Sequence, residues 1–184
     1  MGTEMSKDEA TLIRRAREGD PSAFAEIYDR YQPAIYRYIF YRVGDAATAE
    51  DLTSEVFVRL VEKNYHLTYQ GRPLLAWLYT IARNLVTDYH RRSGQVTVLP
   101  LDERLVDGAT DTEEGHEHML IRQRLAGAIA RLTEDQRQVI LLKFFEGLDN
   151  ETVARVLGKS IGAVKALQHR GLAALRRILE PNRD

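Results

Sequence analysis

The chain has 184 residues, with 26 Lys/Arg against 27 Asp/Glu and no cysteine. That length suits one ordinary domain or two small ones, and the missing thiols exclude disulfide frameworks, cysteine-ligated metals and thiol nucleophiles together. The net charge of −1 hides an asymmetry, because residues 1–95 balance, residues 96–118 sum to −6 and residues 119–184 sum to +5, a pattern that predicts division of labour along the chain and makes the basic end a candidate for nucleic acid.

Almost every long segment has helical periodicity. Ser6 with Glu9 spells a capping box ahead of Leu12 and Ile13, and Gly19 stops that short helix. Asp20-Pro21 is a cap followed by proline at the first helical position, and it opens a stripe of Phe24, Ile27, Tyr28, Tyr31, Ile35, Tyr38 and Ile39 that ends at Gly44. Pro33 lies inside the stripe and predicts a kink or two abutting helices. A third helix is expected after Asp45, with Leu52, Val56 and Leu60 inward and Glu50, Asp51 and Glu55 on its polar side. Tyr65 to Pro73 reads as a loop. From Leu74 to about Arg92 a fourth helix buries Leu74, Trp77, Leu78, Ile81 and Leu85, and turns Asn84, Thr87, Asp88 and Arg91 outward.

Between Ser93 and Gly115 the periodicity gives way to Gly, Thr, Asp and Glu, the composition of a linker. Four more helical segments follow, near 117–131, 134–146 behind a Thr133/Gln136 capping box, 149–157 and 160–179. The fold class expected is all-α, two small helical domains on a flexible acidic tether, with freedom to move about residues 94–116 unless a partner pins them.

The strongest local signal is Asp149 to Arg170. A short amphipathic helix meets Gly158-Lys159-Ser160, and a second helix starts from a serine cap, which is the grammar of a helix-turn-helix. On a helical wheel Ile161, Val164, Leu172, Leu175 and Leu179 gather on the core face, Gln168 projects toward its centre, and Lys165, Ala166, His169, Arg170 and Arg176 face outward. Six Lys/Arg and no acid stand between Arg155 and Arg177, enough to neutralise several phosphates.

At this point the chain resembles the extracytoplasmic-function (ECF, group IV) sigma factors of the bacterial sigma-70 family. The likeness is carried by Phe24-Ala25-Glu26-Ile27-Tyr28 with Tyr31, by the run from Ala49 to Leu60, by the run from Ala76 to Arg92, and by Leu148 to Leu175, four blocks in the family's order. The resemblance implies sigma domain 2 over residues 1–95, an acidic linker over 96–116 and sigma domain 4 over 117–184, with no domain three. It also implies a transcription initiation factor that binds core RNA polymerase, through the beta-prime clamp helices and the beta flap, and directs it to minus-thirty-five and minus-ten promoter elements. Glu50, Asp51 and Glu55 would grip the polymerase, since exposed carboxylates with an apolar rim suit a basic helical partner. Tyr69, Arg72, Asn84, Arg91 and Arg92 would hold the melted minus-ten strand, where stacking and phosphate tracking offset the cost of unstacking.

In the second domain Lys159, Ser160, Lys165, His169 and Arg170 would meet the minus-thirty-five element. The family usually has a hydroxyl residue where this chain has Ala163 and Ala166, and often a basic one at Leu167, so base reading falls to Lys165 and His169 while Lys159 and Arg170 hold phosphate. The resemblance further implies an anti-sigma factor as partner.

The alternative is a helix-turn-helix DNA-binding regulator with an amino-terminal helical sensor domain, which would act without polymerase. No enzyme, metal or cofactor is expected, because His116-Glu117-His118 lacks the HExxH spacing and neither GxSxG nor GxxxxGK occurs. The longest apolar run, Leu74 to Tyr79, is far below the roughly 20 residues of a membrane span. With no signal-peptide pattern at Met1, a cytoplasmic protein without membrane insertion is expected.

Overall fold

The computed structural model describes residues 7–63, 73–94 and 113–180, and within them the regular structure is helical. The first unit comprises α1 (Lys7–Arg17), α2 (Pro21–Val43), α3 (Ala46–Lys63) and α4 (Leu74–Ser93). The second comprises α5 (Glu113–Ala130), α6 (Glu134–Ile140) running on into a π turn at Leu141–Phe145, α7 (Asn150–Leu157) and α8 (Ile161–Leu179). The expected all-α class and its two helical units are therefore present. The start of α5 lies four residues earlier than the periodicity suggests, inside the stretch read as linker.

In the first unit α2 lies against α1, α3 and α4, and α3 packs on α4. Ala23, Ile27, Ile35, Tyr38 and Ile39 of α2 fill the centre with Val56 and Leu60 of α3 and Leu78, Ile81 and Leu85 of α4. The Asp20 cap forms as the sequence suggests, accepting the Ser22 amide at 2.9 Å and Arg15 Nε at 2.9 Å. The Ser22 side chain and then Arg15 hold the Asp20 carboxyl down at about 2. Pro33 does not divide the segment, since α2 continues through it as one helix.

Glu9 also acts beyond its own helix, and Ser6, the other half of the expected capping box, lies outside the described residues. The Glu9 carboxylate is buried and accepts both the Tyr31 hydroxyl at 3.0 Å and the Leu74 amide at 2.8 Å. The Leu74 amide opens α4, and Pro73 ahead of it makes no side-chain cap. Glu9 thus caps α4 from a distant helix, satisfying a first-turn donor that the local sequence leaves without a partner. Burial and then the neighbouring Glu9 charge push the Tyr31 phenol up to about 12.

The second unit is organised around α8, which packs on α6, α7 and α5. The side chain of Arg137 is buried and donates to the carbonyls of Ile129, Ala130 and Leu132, so it closes the open end of α5. The capping box of Thr133 and Gln136 is present in both directions.

In this structure the two units are in contact with one another. α7 packs on α4, and Val139, Leu142, Val153, Val156 and Leu157 belong to the same buried cluster as the first unit's core. The apolar faces of α6 and α7 are broader than α8 alone can cover, and α2 and α4 complete their burial.

Candidate polymerase and promoter surfaces

The acidic face of α3 forms as its periodicity requires. Glu50 and Asp51 are exposed, while Glu55 is partly covered and takes Arg59 Nε at 2.8 Å one turn along. Around them Tyr28, Val58 and Val61 remain exposed, and the Tyr28 ring meets Phe57 edge-on at 4.8 Å. Tyr28 was expected on the inward stripe of α2. It sits at the border instead, because α3 covers that side of α2 only as far as Phe57. The result is carboxylates bordered by apolar side chains, a surface matched to a partner presenting cations on a helical ridge.

Asn84, Arg91 and Arg92 lie exposed along α4, with Arg91 3.1 Å from Asp88 on the preceding turn. Gly94 closes the helix, and His90, Arg91 and Arg92 gather at its C-terminal end, where the helix dipole favours cations. Trp77 is half-buried against the core, as expected for a residue in the apolar stripe. Tyr69 and Arg72 lie outside the described residues, so α4 supplies the described part of this group.

The helix-turn-helix is formed by α7 and α8. Asp149 accepts the Thr152 amide at 2.7 Å to start α7, and Ser160 accepts the Ala163 amide at 3.1 Å to start α8. Between them Gly158 takes φ of +63°, a left-handed conformation that a side chain would strain. Lys165, His169 and Arg170 are exposed and, among the described residues, take part in no ion pair. Lys159 is half-buried and reaches Asp135 of α6 at 2.9 Å. A cleft of about 460 Å³ opens at the turn, with Arg155, Lys159 and Ser160 on its walls.

The inward face of α8 is rotated from the one the wheel gives. Val164, Leu167, Gly171 and Leu175 are buried, whereas Ile161, Leu172 and Leu179 are exposed. Gln168 is only half-buried and flanks the seam, so the centre of the face is Leu167. The cause is Gly171, which carries no weight in a hydropathy projection. A Cβ there would stand 3.2 Å from Cγ1 of Ile140, so the glycine permits α6 to approach and fixes which side of α8 turns inward. Its spacing from Val164, Leu167 and Leu175, in steps of three and four residues, was the available signal.

Comparison with known proteins identifies the family. A family model described as Sigma-70 region 2 matches residues 27–96, and one described as Sigma-70, region 4 matches residues 122–175. The chain belongs to the sigma-70 family, in its group of ECF RNA polymerase sigma factors. Among its relatives, the ECF sigma factor BldN of Streptomyces coelicolor is 42% identical over 172 residues, covering 91% of this chain and 64% of BldN. The chain thus spans somewhat less than two thirds of BldN's length. SigX of Bacillus subtilis is 33% identical over 173 residues, covering 88% of this chain and 86% of SigX. Of the solved structures, CnrH in complex with the cytosolic domain of CnrY is 22% identical with a TM-score of 0.73, covering 95% of this chain and 98% of that one. The sigma factor RpoE in complex with the anti-sigma factor NepR from Bartonella quintana is 24% identical with a TM-score of 0.66, covering 87% and 98%. Both share the fold. Among the described residues no helix is long and apolar enough to cross a membrane.

Proposed function

We propose that this chain acts in the cytoplasm as a transcription initiation factor, binding core RNA polymerase and taking it to promoters that its two units read together. The observation that carries this is the pairing, in one chain, of an exposed acidic face on α3 with an exposed basic face on α8, each within the matching sigma-70 region. Glu50, Asp51 and Glu55 dock on cationic helices of the polymerase, with the apolar rim of Tyr28, Val58 and Val61 excluding water around them. Asn84, Arg91 and Arg92, together with Tyr69 and Arg72, attend the separated minus-ten strand. Their amide, guanidinium and phenol groups suit base edges, phosphates and stacking.

Lys165 and His169 project from the first turns of α8 and read base edges in the major groove at the minus-thirty-five element. Arg170, Lys159 and the Ser160 end of α8 secure the adjacent phosphates, and Lys159 exchanges Asp135 for phosphate as it does so. An anti-sigma factor is the inhibitor this reading calls for, as in the complex of RpoE with NepR.

The test is transcription with purified core polymerase on a library of promoters, with start sites mapped. Start sites that depend on the chain and share two spaced elements support the reading. Duplex binding by the chain alone, combined with no start site in the presence of core, overturns it in favour of a stand-alone regulator.

A further inference from the structure

Three helices of the first unit meet at one buried carboxylate. Glu9 of α1 is 8% exposed, and its Oε1 accepts both the Tyr31 hydroxyl of α2 at 3.0 Å and the Leu74 amide of α4 at 2.8 Å. These partners stand 22 and 65 residues away in the chain. Leu12, Ile13 and Ala16 are buried where α1 lies on α2, and Pro73 and Leu74 are themselves buried. Leu74 begins the helix that carries Asn84, Arg91 and Arg92, while Tyr69 and Arg72 precede it by five and two residues. The two parts of the proposed minus-ten group thus flank this amide in the chain.

Stability alone does not call for this arrangement. A serine, threonine or aspartate at position 73 would cap α4 locally, whereas Pro73 offers no side-chain acceptor. A carboxylate taken out of water carries a desolvation cost that a local cap at the surface avoids. What the distant acceptor adds is position, because it ties the first turn of α4 to a point on another helix. The apolar contacts of Leu74, Leu78, Ile81 and Leu85 are non-directional and tolerate sliding along the seam. The hydrogen bonds at Glu9 are directional and resist it. Asn84 and Arg91 lie about 15 and 25 Å further along α4, at about 1.5 Å per residue. Unwinding the first turn, or shifting its origin, therefore moves them relative to the residues ahead of Leu74.

We propose that Glu9, oriented by Tyr31, is a positioning residue for promoter opening, setting the origin of α4 so that the groups on the helix and those ahead of it engage one separated strand together. This rests on the sigma-factor reading. In this role the buried Glu9 touches neither DNA nor polymerase, and α1 takes part in promoter opening through the Leu74 amide alone.

The test compares transcription from a duplex promoter with transcription from the same promoter carrying a pre-opened bubble, using core polymerase saturated with the full chain. Glu9→Leu fills the site without an acceptor, Tyr31→Phe removes the hydroxyl that orients the carboxylate, and Glu9→Gln keeps an oxygen that can accept both donors. Glu9→Leu is expected to lose about tenfold on the duplex and to return to within about twofold of the parent on the bubble. Tyr31→Phe loses less in the same sense, and Glu9→Gln stays close to the parent on both templates. A role in stability alone would lower core binding and both templates in the same proportion, and that result overturns the proposal. So does parent-level duplex activity in Glu9→Leu, or a loss in Glu9→Gln equal to that in Glu9→Leu. Should Glu9→Leu not fold, Tyr31→Phe decides, with a duplex loss that the bubble restores supporting the role and equal activity ratios on the two templates overturning it. A parent chain that starts no core-dependent transcript on either template overturns the sigma-factor reading and the positioning role together. An active parent with variants that break the expected pattern overturns the positioning role alone.

Discussion

The polar faces of α3 and α8 make the instructive comparison. Each is built by the same rule, with apolar residues at helical spacing turned inward and charge left outside, mainly acidic on α3 and basic on α8, yet the supports behind them differ. The first unit holds its helices with a buried carboxylate, Glu9, which reaches from α1 to the Tyr31 hydroxyl and the opening amide of α4. The second holds them by close approach, with Gly171 of α8 against Ile140. A carboxylate tether fixes where a helix begins, whereas a glycine seam fixes how a helix is rotated about its axis. The first suits a helix that presents residues along its length, as α4 does, and the second suits one whose rotation decides which side chains enter a groove.

The sharpest way to break this comparison is to remove the tether. Glu9→Ala leaves the Leu74 amide and the Tyr31 hydroxyl without their acceptor, and a loss of about 3 kcal/mol is expected from two such bonds to a charged group, read by chemical denaturation. An effect below about 1 kcal/mol would mean that α4 is positioned by its apolar face alone. Gly171→Leu, which forces a side chain into the seam with Ile140, is expected to cost about 2 kcal/mol and to disturb minus-thirty-five recognition together with stability.

Exposed residues divide by task rather than by stability. Lys165→Ala is expected to cost about 1–2 kcal/mol at promoters carrying the preferred minus-thirty-five base and to change that preference. Arg91→Ala with Arg92→Ala should instead impair strand opening, detected by permanganate reactivity and partly rescued on a template with a pre-opened bubble. Equal rescue of both sets would remove the division between α4 and α8. Asp51→Lys should weaken core association by about 1 kcal/mol in a binding titration, while thermal stability stays within roughly 0.5 kcal/mol.

The smallest effect concerns pH. Asp20 sits at about 2 in the folded chain against an ordinary 3.8. The folded state binds this proton less readily than the unfolded one, so the contribution is complete above about pH 4 and fades as pH falls towards 2. Asp20→Asn should make the acid limb of a stability profile shallower in that interval, matching the parent chain near pH 2 and lying below it at neutral pH.

Much of this molecule is local. The helices of the described residues, the caps at Asp20, Thr133, Asp149 and Ser160, the stops at Gly44 and Gly158, and the outward position of Asp51, Asn84, Lys165 and His169 all follow from neighbours within a turn or two. Hydropathy at 3.6-residue spacing and side-chain capping are short-range effects, so they can be read one segment at a time. The four motif blocks identified the family for the same reason, since each is a contiguous run.

Tertiary structure decided what depends on partners far away in the chain. Glu9 of α1 caps α4, because the Leu74 amide has no side-chain acceptor at its own N-cap. The inward face of α8 is set by a glycine, whose role exists only when Ile140 is opposite. Continuity of α2 through Pro33 is settled by burial on both sides, with Ile27 behind the proline and Ile35 and Tyr38 ahead of it. Charge and periodicity likewise carried no sign that the folded chain brings Glu146 to Arg37 and Tyr79. A carboxylate in sequence carries no mark of its partner, and only packing α7 on α4 gives this one a place out of water.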